Sequence, residues 1–260
     1  MQIATWNVNS LNARLPHVLD WLAANPVDVL ALQELKMADE KFPREALAAA
    51  GYAAAVYGQK TYNGVALLAR QPLALDDVTR GVAGFADDHA RLIAATVAAP
   101  GGPLRVVNGY FVNGQEPGSD KFAYKMRWLT ALRECLRDEL ARHARLVLVG
   151  DFNIVPEDRD SHDPARLAGT ILHTPEERQH FRDLLALGLS DAFRLFEQPE
   201  RSFSWWDYRQ LSFQKNCGLR IDHVLVSAAI KSQTTACAID RAPRKWQRPS
   251  DHAPVVLTLE

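Results

Sequence analysis

The residues of this chain that could do chemistry sit where apolar runs stop. Asn7 follows Ile3-Ala4-Thr5-Trp6, Glu34 follows Val29–Gln33, and Asp151 and Asn153 follow Val147-Leu148-Val149-Gly150. Asp222 lies inside the apolar stretch Leu219–Val226, and His252 stands beside Asp251, just ahead of the last run, Pro254–Leu259. Strand ends are rigid platforms on which side chains from distant parts of a chain can converge. Glu34 offers hard carboxylate oxygen, the ligand type of Mg2+ or Mn2+; by itself it reads equally as a solvated charge. Asn7 alone reads as a turn-forming amide. Asp151 and Asn153 are two apart, so on extended backbone both point the same way. One could then take a proton from water while the other holds an oxyanion; a turn with an Asx cap is the plainer alternative. Gly150 permits a tight turn or the close approach of a substrate backbone. An acid among apolar neighbours, as Asp222 is, needs a partner. Asp222 and Asp251 are both available to orient the imidazole of His252. His223 points to the opposite face and reads as an ordinary core residue.

No serine, cysteine or lysine nucleophile motif accompanies this set. Carboxylates, amides and one imidazole suit the attack of metal-held water on a phosphate ester. An aspartate would accept the proton, while amide N–H groups and an imidazolium would bind the phosphate oxygens.

Short runs rich in Val, Ile and Leu must position these groups. They predict strands over Gln2–Trp6, Asp28–Gln33, Gly64–Ala69, Leu92–Ala98, Leu104–Tyr110, Leu146–Val149, Ile221–Val226 and Pro254–Leu259. Near-continuous apolar runs suit strands covered on both faces. Helical spacing marks Leu11–Asn25, Phe122–His143 and Pro175–Leu187, the last with Thr174 as N-cap and proline at its first position. Strands and helices follow in mixed order, which predicts a layered α/β sandwich and not a regular βα barrel.

The chain has 260 residues, 47% hydrophobic and 23% charged, with 30 basic against 31 acidic side chains. This excludes disordered, collagenous and coiled-coil classes and argues against non-specific coating of nucleic acid or anionic lipid. The near-zero total hides an asymmetry: residues 201–250 hold nine basic residues against three acids. Three cysteines without CxxC spacing give no disulfide framework and no zinc knuckle. The first residues lack the pattern of a signal peptide, and no apolar stretch is long enough to span a membrane, so a cytoplasmic setting is expected. No linker or repeat divides the chain, and one domain over 1–260 is expected.

The motifs WNVNS, LQELK, GQKTYNGVALLAR, NGYFVNG, GDFN, SWWDYR, GLRIDHVLVS and PSDHAPV occur in that order. From about residue 3 to 258 the chain resembles the exonuclease III class of AP endonucleases, within the endonuclease–exonuclease–phosphatase superfamily. LQE, GDFN and SDHAP point to the superfamily; GQKTYNGVA, SWWDYR and GLRID narrow the resemblance to its DNA-repair branch. It implies a four-layer α/β fold, two packed mixed β-sheets flanked by helices, with the site at one end. It also implies roles. Glu34 resembles the principal metal ligand, with Asn7 beside it and Asp251 near the metal. Asp151 resembles the residue that deprotonates or aligns water, helped by Asn153. His252, oriented by Asp222, and the hydroxyl of Tyr110 would bind the scissile phosphate. Lys60, Tyr62, Asn63, Arg91, Asn113, Lys121 and Lys125 match positions on the DNA path, and Trp205 the aromatic that packs against an extruded abasic sugar. Trp206 would fill a core role.

The implied activity is Mg2+-dependent (Mn2+ possible) hydrolysis of damaged duplex DNA by a monomer. Its forms would be abasic-site incision, removal of blocked 3′ termini and 3′→5′ degradation. A superfamily phosphatase for phosphoinositides or sphingomyelin is the alternative enzyme, and a catalytically dead binding module the alternative class. Two departures stand out. Asn12 replaces an arginine common in relatives, with Arg14 as a possible substitute. The segment 158–175, leading into a loop near the bound sugar, is the least recognisable.

Overall fold

In chain order the strands are β1 Gln2–Asn7, β2 Val29–Gln33, β3 Tyr52–Tyr57, β4 Val65–Arg70, β5 Asp76–Arg80 and β6 Leu92–Ala99. They continue with β7 Gly102–Tyr110, β8 Leu146–Asp151, β9 Leu189–Asp191, β10 Asp222–Ser227, β11 Thr234–Ile239 and β12 Val255–Leu259. The helices are α1 Leu11–Ala24, α2 Arg44–Ala49, α3 Asp120–Arg142, α4 Pro164–Leu167, α5 Pro175–Ala186 and α6 Ala228–Lys231. This computed structural model describes residues 1–260.

The strands form two six-stranded sheets, ordered β11-β12-β1-β2-β4-β3 and β5-β6-β7-β8-β10-β9. Each is antiparallel except for one parallel pair near its middle, β1 with β2 and β7 with β8. The inner faces pack on each other: Ile3, Val29, Val65 and Leu257 of the first sheet meet Val106, Val147, Val149 and Val224 of the second. Trp21, Val18 and Leu22 of α1 cover the outer face of the first sheet, against Ala4, Trp6, Leu30 and Leu32. Trp128, Leu129, Leu132 and Leu136 of α3, with Phe181 and Leu184 of α5, cover the second. The result is four layers, α/β/β/α. Burial on both faces explains why the central strands read as unbroken apolar runs. Each such Leu or Val contributes about 1.5–3 kcal/mol of transfer free energy.

Four strands were not among the expected runs. β3 is alanine-rich (YAAAVY), β5 (DDVTR) is an exposed edge, β9 has three residues, and β11 carries a bulge between Thr234 and Ala236. None has the Val/Ile density that marks a buried strand. α3 begins two residues before its expected start, because Ser119 caps it by accepting from the Phe122 N–H at 3.1 Å. Thr174 and Glu177 form a reciprocal capping box at the start of α5.

One buried polar link joins the sheets beneath the site. Gln33 Nε2 donates to Asn108 Oδ1 at 2.7 Å and to Thr5 Oγ1 at 2.8 Å, while Asn108 Nδ2 donates to the carbonyls of Leu32 and Ala66, each at 2.9 Å. Paired on several sides, these amides fix the two sheets against each other at the strand ends.

Candidate active site

Strand register brings the reactive residues together. Tyr110 pairs with Asp151 across β7 and β8, and Asp151 with Asp222 across β8 and β10, so the three form one rung at the sheet end. Asp222 opens β10 and is not interior to the strand as expected. Gly150 is needed here: its φ is +143°, and a Cβ would lie 1.9 Å from the Gly109 carbonyl oxygen. The close approach expected from a substrate backbone is therefore made by the chain's own neighbouring strand. Asn7 ends β1 and Glu34 follows β2, so the first sheet delivers its pair opposite this rung. Glu34, Asn9, Lys36 and Asn153 all have positive φ, between 45° and 55°. Such backbone is uncommon for non-glycine residues and concentrates at functional loops.

A continuous array of hydrogen bonds results. Asn7 Nδ2 donates to Glu34 Oε1 and to Asp151 Oδ2, both at 2.9 Å. The second oxygen of Asp151 accepts the Asn153 N–H at 3.0 Å. His252 Nδ1 lies 2.9 Å from Asp222 Oδ2, and its Nε2 lies 3.7 Å from Asp151 Oδ2, beyond hydrogen-bond range. Ser204 Oγ donates to Asp222 Oδ2 at 2.6 Å and accepts the Asp222 N–H at 3.0 Å. Asp222 thus fixes the tautomer and orientation of His252, leaving Nε2 to face the gap beside Asp151.

Burial alone disfavours the His252 imidazolium, but the carboxylates of Asp222 and Asp151 outweigh it and hold its pKa well up. Burial, together with Asp222 and Glu34, pushes the Asp151 carboxyl above the usual carboxylate range, against the pull of His252. Burial, with the carboxylates of Glu34 and Asp151, pushes the Tyr110 phenol upward, so it stays a hydroxyl donor. This is a concentration of negative charge that a cation would relieve.

Glu34, Asp151 and His252 each offer a ligand atom within 4.8 Å of the others. Two carboxylates plus open directions for water fit a hard divalent ion. Asn7 lies beside Glu34 as expected; its Oδ1 accepts the Asn9 N–H at 2.9 Å, which turns the nitrogen toward the carboxylates. Its nitrogen links the Glu34 and Asp151 carboxylates, each at 2.9 Å. Asp251 is also committed elsewhere, accepting from Asn9 Nδ2 and Trp205 Nε1, both at 2.9 Å.

Around this centre the expected DNA contacts fall into two groups. Tyr62, Asn63, Arg91, Asn113 and Lys121 line one cavity of about 530 Å³ beside Tyr110. Lys60 is exposed on the same loop. Arg91 stacks over the Tyr110 ring at 5.1 Å, and Asn113 Nδ2 donates to Asn153 Oδ1 at 3.0 Å. Lys125 is a correction. It is fully buried, paired with Glu177, and donates to the carbonyls of Asn113 at 3.1 Å and Asn153 at 2.7 Å. No DNA phosphate can reach it; it pins the loops that carry the two asparagines. Asn153 is a correction of another kind. Its left-handed backbone follows the strand end in an Asx turn, not an extended run, and its Nδ2 is spent on the Phe111 carbonyl at 3.1 Å.

Trp205 is half-buried and forms a wall of a second cavity, about 680 Å³, with Leu172, His173 and Leu219. The unfamiliar segment 158–175 supplies that wall. Arg220 anchors its start through buried pairs to Asp160 and Asp191. Trp206 is fully buried, and His223 is buried on the far side against Phe152 and Phe181.

Reading the sequence missed Lys36, Asn9 and Ser204. Lys36 Nζ lies 2.8 Å from Glu34 Oε2 and also donates to Asn9 Oδ1. Asn9 therefore bridges Lys36 to Asp251. The motifs LQELK and WNVNS contained both residues, but nothing in their spacing distinguishes them from solvated side chains. Arg14 donates to the carbonyls of Asn9 and Pro249 and to the Tyr208 hydroxyl, while Asn12 is exposed.

Comparison with known proteins places this geometry. The model of the Endonuclease/Exonuclease/phosphatase family matches residues 4–252. The chain belongs to that family. It is 37% identical to exodeoxyribonuclease III of Haemophilus influenzae, covering 98% of both chains. A Neisseria 3′ phosphatase, NExo, solved with a product DNA hairpin, superposes with a TM-score of 0.96 at 47% identity, covering 100% of this chain and 99% of that one. An AP endonuclease from Archaeoglobus fulgidus superposes at 0.93 with 33% identity, covering 100% and 99%. The two-sheet, four-layer architecture is that of these enzymes. No helix is long and apolar enough to cross a membrane.

Proposed function

We propose that the protein is a DNA-repair hydrolase that cleaves phosphate esters in damaged duplex DNA. It incises 5′ to abasic sites, leaving a 3′-OH, and clears 3′-phosphates and 3′-terminal nucleotides. The observation that carries this reading is the gap between His252 Nε2 and Asp151 Oδ2, 3.7 Å wide and flanked by Glu34 and Tyr110. The relatives bear on it through their own activities: an exodeoxyribonuclease III, a 3′ phosphatase that binds a DNA hairpin, and an AP endonuclease.

Asp151 takes the proton from the attacking water, held in place by the Asn7 amide and the Asn153 N–H. His252, kept cationic by Asp222, donates from Nε2 to a phosphate oxygen, and the Tyr110 hydroxyl donates to another. Glu34 would hold the divalent cation, Mg2+ or Mn2+, with Asp151 near. Such an ion, when bound, supplies charge neutralisation for the phosphate and the departing oxygen. Lys36 pairs with Glu34 at 2.8 Å and fixes its carboxylate in place. The aromatic and aliphatic wall of Trp205, Leu172 and Leu219 suits a sugar that has lost its base, which costs nothing to unstack. The exposed Lys60, Tyr62, Asn113 and Lys121, with the half-buried Arg91, would hold backbone phosphates. Asn63 is buried and spends its Nδ2 on Gln59 at 2.7 Å, so it shapes the loop that carries Lys60 and Tyr62. We infer one domain over 1–260 working as a monomer in the cytoplasm.

One gel with three duplexes (abasic, 3′-phosphate and undamaged), with and without Mg2+, tests this. Turnover of damaged duplexes that requires the metal supports it. Full activity in EDTA, or hydrolysis of inositol phosphates in preference to DNA, overturns it.

A further inference from the structure

Behind Tyr208 lies a basic cavity of about 800 Å³ that the catalytic array does not use. Its walls come from the 207–214 loop and the 241–249 segment, and α1 abuts it. Trp246 in the wall meets His17 of α1 edge-on at 5.2 Å, and Tyr208 receives Arg14 Nη2 at 3.3 Å.

Three cations line this cavity, and none has a carboxylate partner. Arg244 is 6% exposed, its guanidinium stacked 5.0 Å from Phe213 and 5.6 Å from Tyr208. It donates to the carbonyls of Ser250 and Trp206, but its buried Nε has no partner. Arg241, an exposed residue, lays its guanidinium over Trp206 and Phe213, each at about 5 Å. Lys245 is exposed beside it. The one acid in the lining, Asp207, is taken by Arg209 at 2.7 Å. A buried guanidinium without a counter-charge is costly unless an anion arrives. Guanidinium stacked on aromatic rings presents its edge donors, a geometry suited to phosphate oxygens.

Hydrogen bonds link the Tyr208 wall of this cavity to the reaction centre. The Tyr208 hydroxyl lies 3.3 Å from Asn9 Nδ2, and Asn9 joins Lys36 to Asp251. A polyanion leaving the site past Asn9 and Tyr208 would reach these cations. The cavity lies against α1 through Arg14, which donates to the Tyr208 hydroxyl, and His17, which meets Trp246.

We propose that this cavity binds a backbone phosphate of the duplex flanking the lesion on the α1 side. The inference rests on the DNA reading above. A free mononucleotide is the other source of the same chemistry.

The test measures the affinity of wild type and the double variant Arg241→Ala/Lys245→Ala for a 30-base-pair duplex with one abasic analogue, in EDTA, across a KCl series. Neither residue belongs to the catalytic array or makes a side-chain hydrogen bond or ion pair; Arg241 does pack over Trp206 and Phe213, so thermal denaturation of the variant is measured beside its affinity. Each phosphate contact contributes about −0.9 to the slope of log K against log salt. The variant should lose about one to two such units of slope, and weaken binding about tenfold at low salt. A duplex cut back on the α1 side should bind both proteins equally, and its cleavage rate should not change. An unchanged slope overturns the proposal. Competition by a deoxynucleoside monophosphate that disappears in the variant, with the slope unchanged, also overturns it, in favour of product binding. Mg2+-dependent cleavage by wild type is the control: its absence would sink the DNA reading itself, whatever the slope.

Discussion

His252 and Asp151 face each other across 3.7 Å, with the far nitrogen of His252 held by Asp222 at 2.9 Å. That spacing is too wide for a mutual hydrogen bond and leaves a phosphate oxygen and a water in contact with both. Positioning this pair requires register across β8 and β10, a loop ahead of β12 and a serine from the SWWDYR motif. Each of these supports can be removed separately.

Ser204→Ala removes one of the bonds that hold Asp222. A hydrogen bond to a charged group is worth about 1.5–3 kcal/mol. Turnover on an abasic duplex should fall by about ten- to a hundredfold. KM should change little, because Ser204 touches no substrate group. Steady-state kinetics split the two parameters; a rise in KM at constant kcat would place Ser204 in binding instead.

Lys125→Met should act on stability and not on DNA affinity. It leaves the Glu177 carboxylate buried without its partner, a change that costs about 3–5 kcal/mol. Thermal denaturation should show the loss, and the salt slope of DNA binding should match that of wild type. A variant that is fully stable yet binds DNA weakly would restore Lys125 to the DNA path.

Stability should rise with pH between about 4 and 6.5 through His223. Burial first, and the neighbouring Arg220 second, depress its pKa from 6.5 to about 4. Within that window the unfolded chain binds a proton that the folded chain refuses, so the folded state gains as pH increases and the effect is complete above 6.5. Urea midpoints across this range, compared with those of His223→Gln, isolate the effect: the variant should show the shallower slope. Equal slopes would mean that His223 titrates normally in the fold.

The fold was largely legible because its central strands are covered on both faces and so are unbroken in Val, Ile and Leu. β3 and β11 escaped because alanine and threonine fill their half-covered faces. Residues at strand ends, among them Glu34, Asp151 and His252, stood out because a polar group closing an apolar run has a definite position. Lys125 misled because a lysine early in an amphipathic helix normally faces solvent. Its burial depends on Glu177, which lies 52 residues away and doubles as the capping residue of α5. The place of Asn7 beside Glu34 was legible, but not which end of its amide faces the carboxylates, which the backbone N–H of Asn9 decides. Lys36 and Asn9 matter only through tertiary contacts that no spacing encodes.

The most direct test of the central claim is single-turnover cleavage of an abasic duplex by Asp151→Asn, measured beside its affinity for the same duplex. Asparagine keeps the shape and the bond to the Asn153 N–H but cannot accept the proton from water. The expected result is binding within a few-fold of wild type and, with Mg2+ supplied to both proteins, cleavage slower by about 10²–10⁴. Cleavage by Asp151→Asn within tenfold of wild type would contradict the role given to Asp151, and with it the reading of the gap it shares with His252.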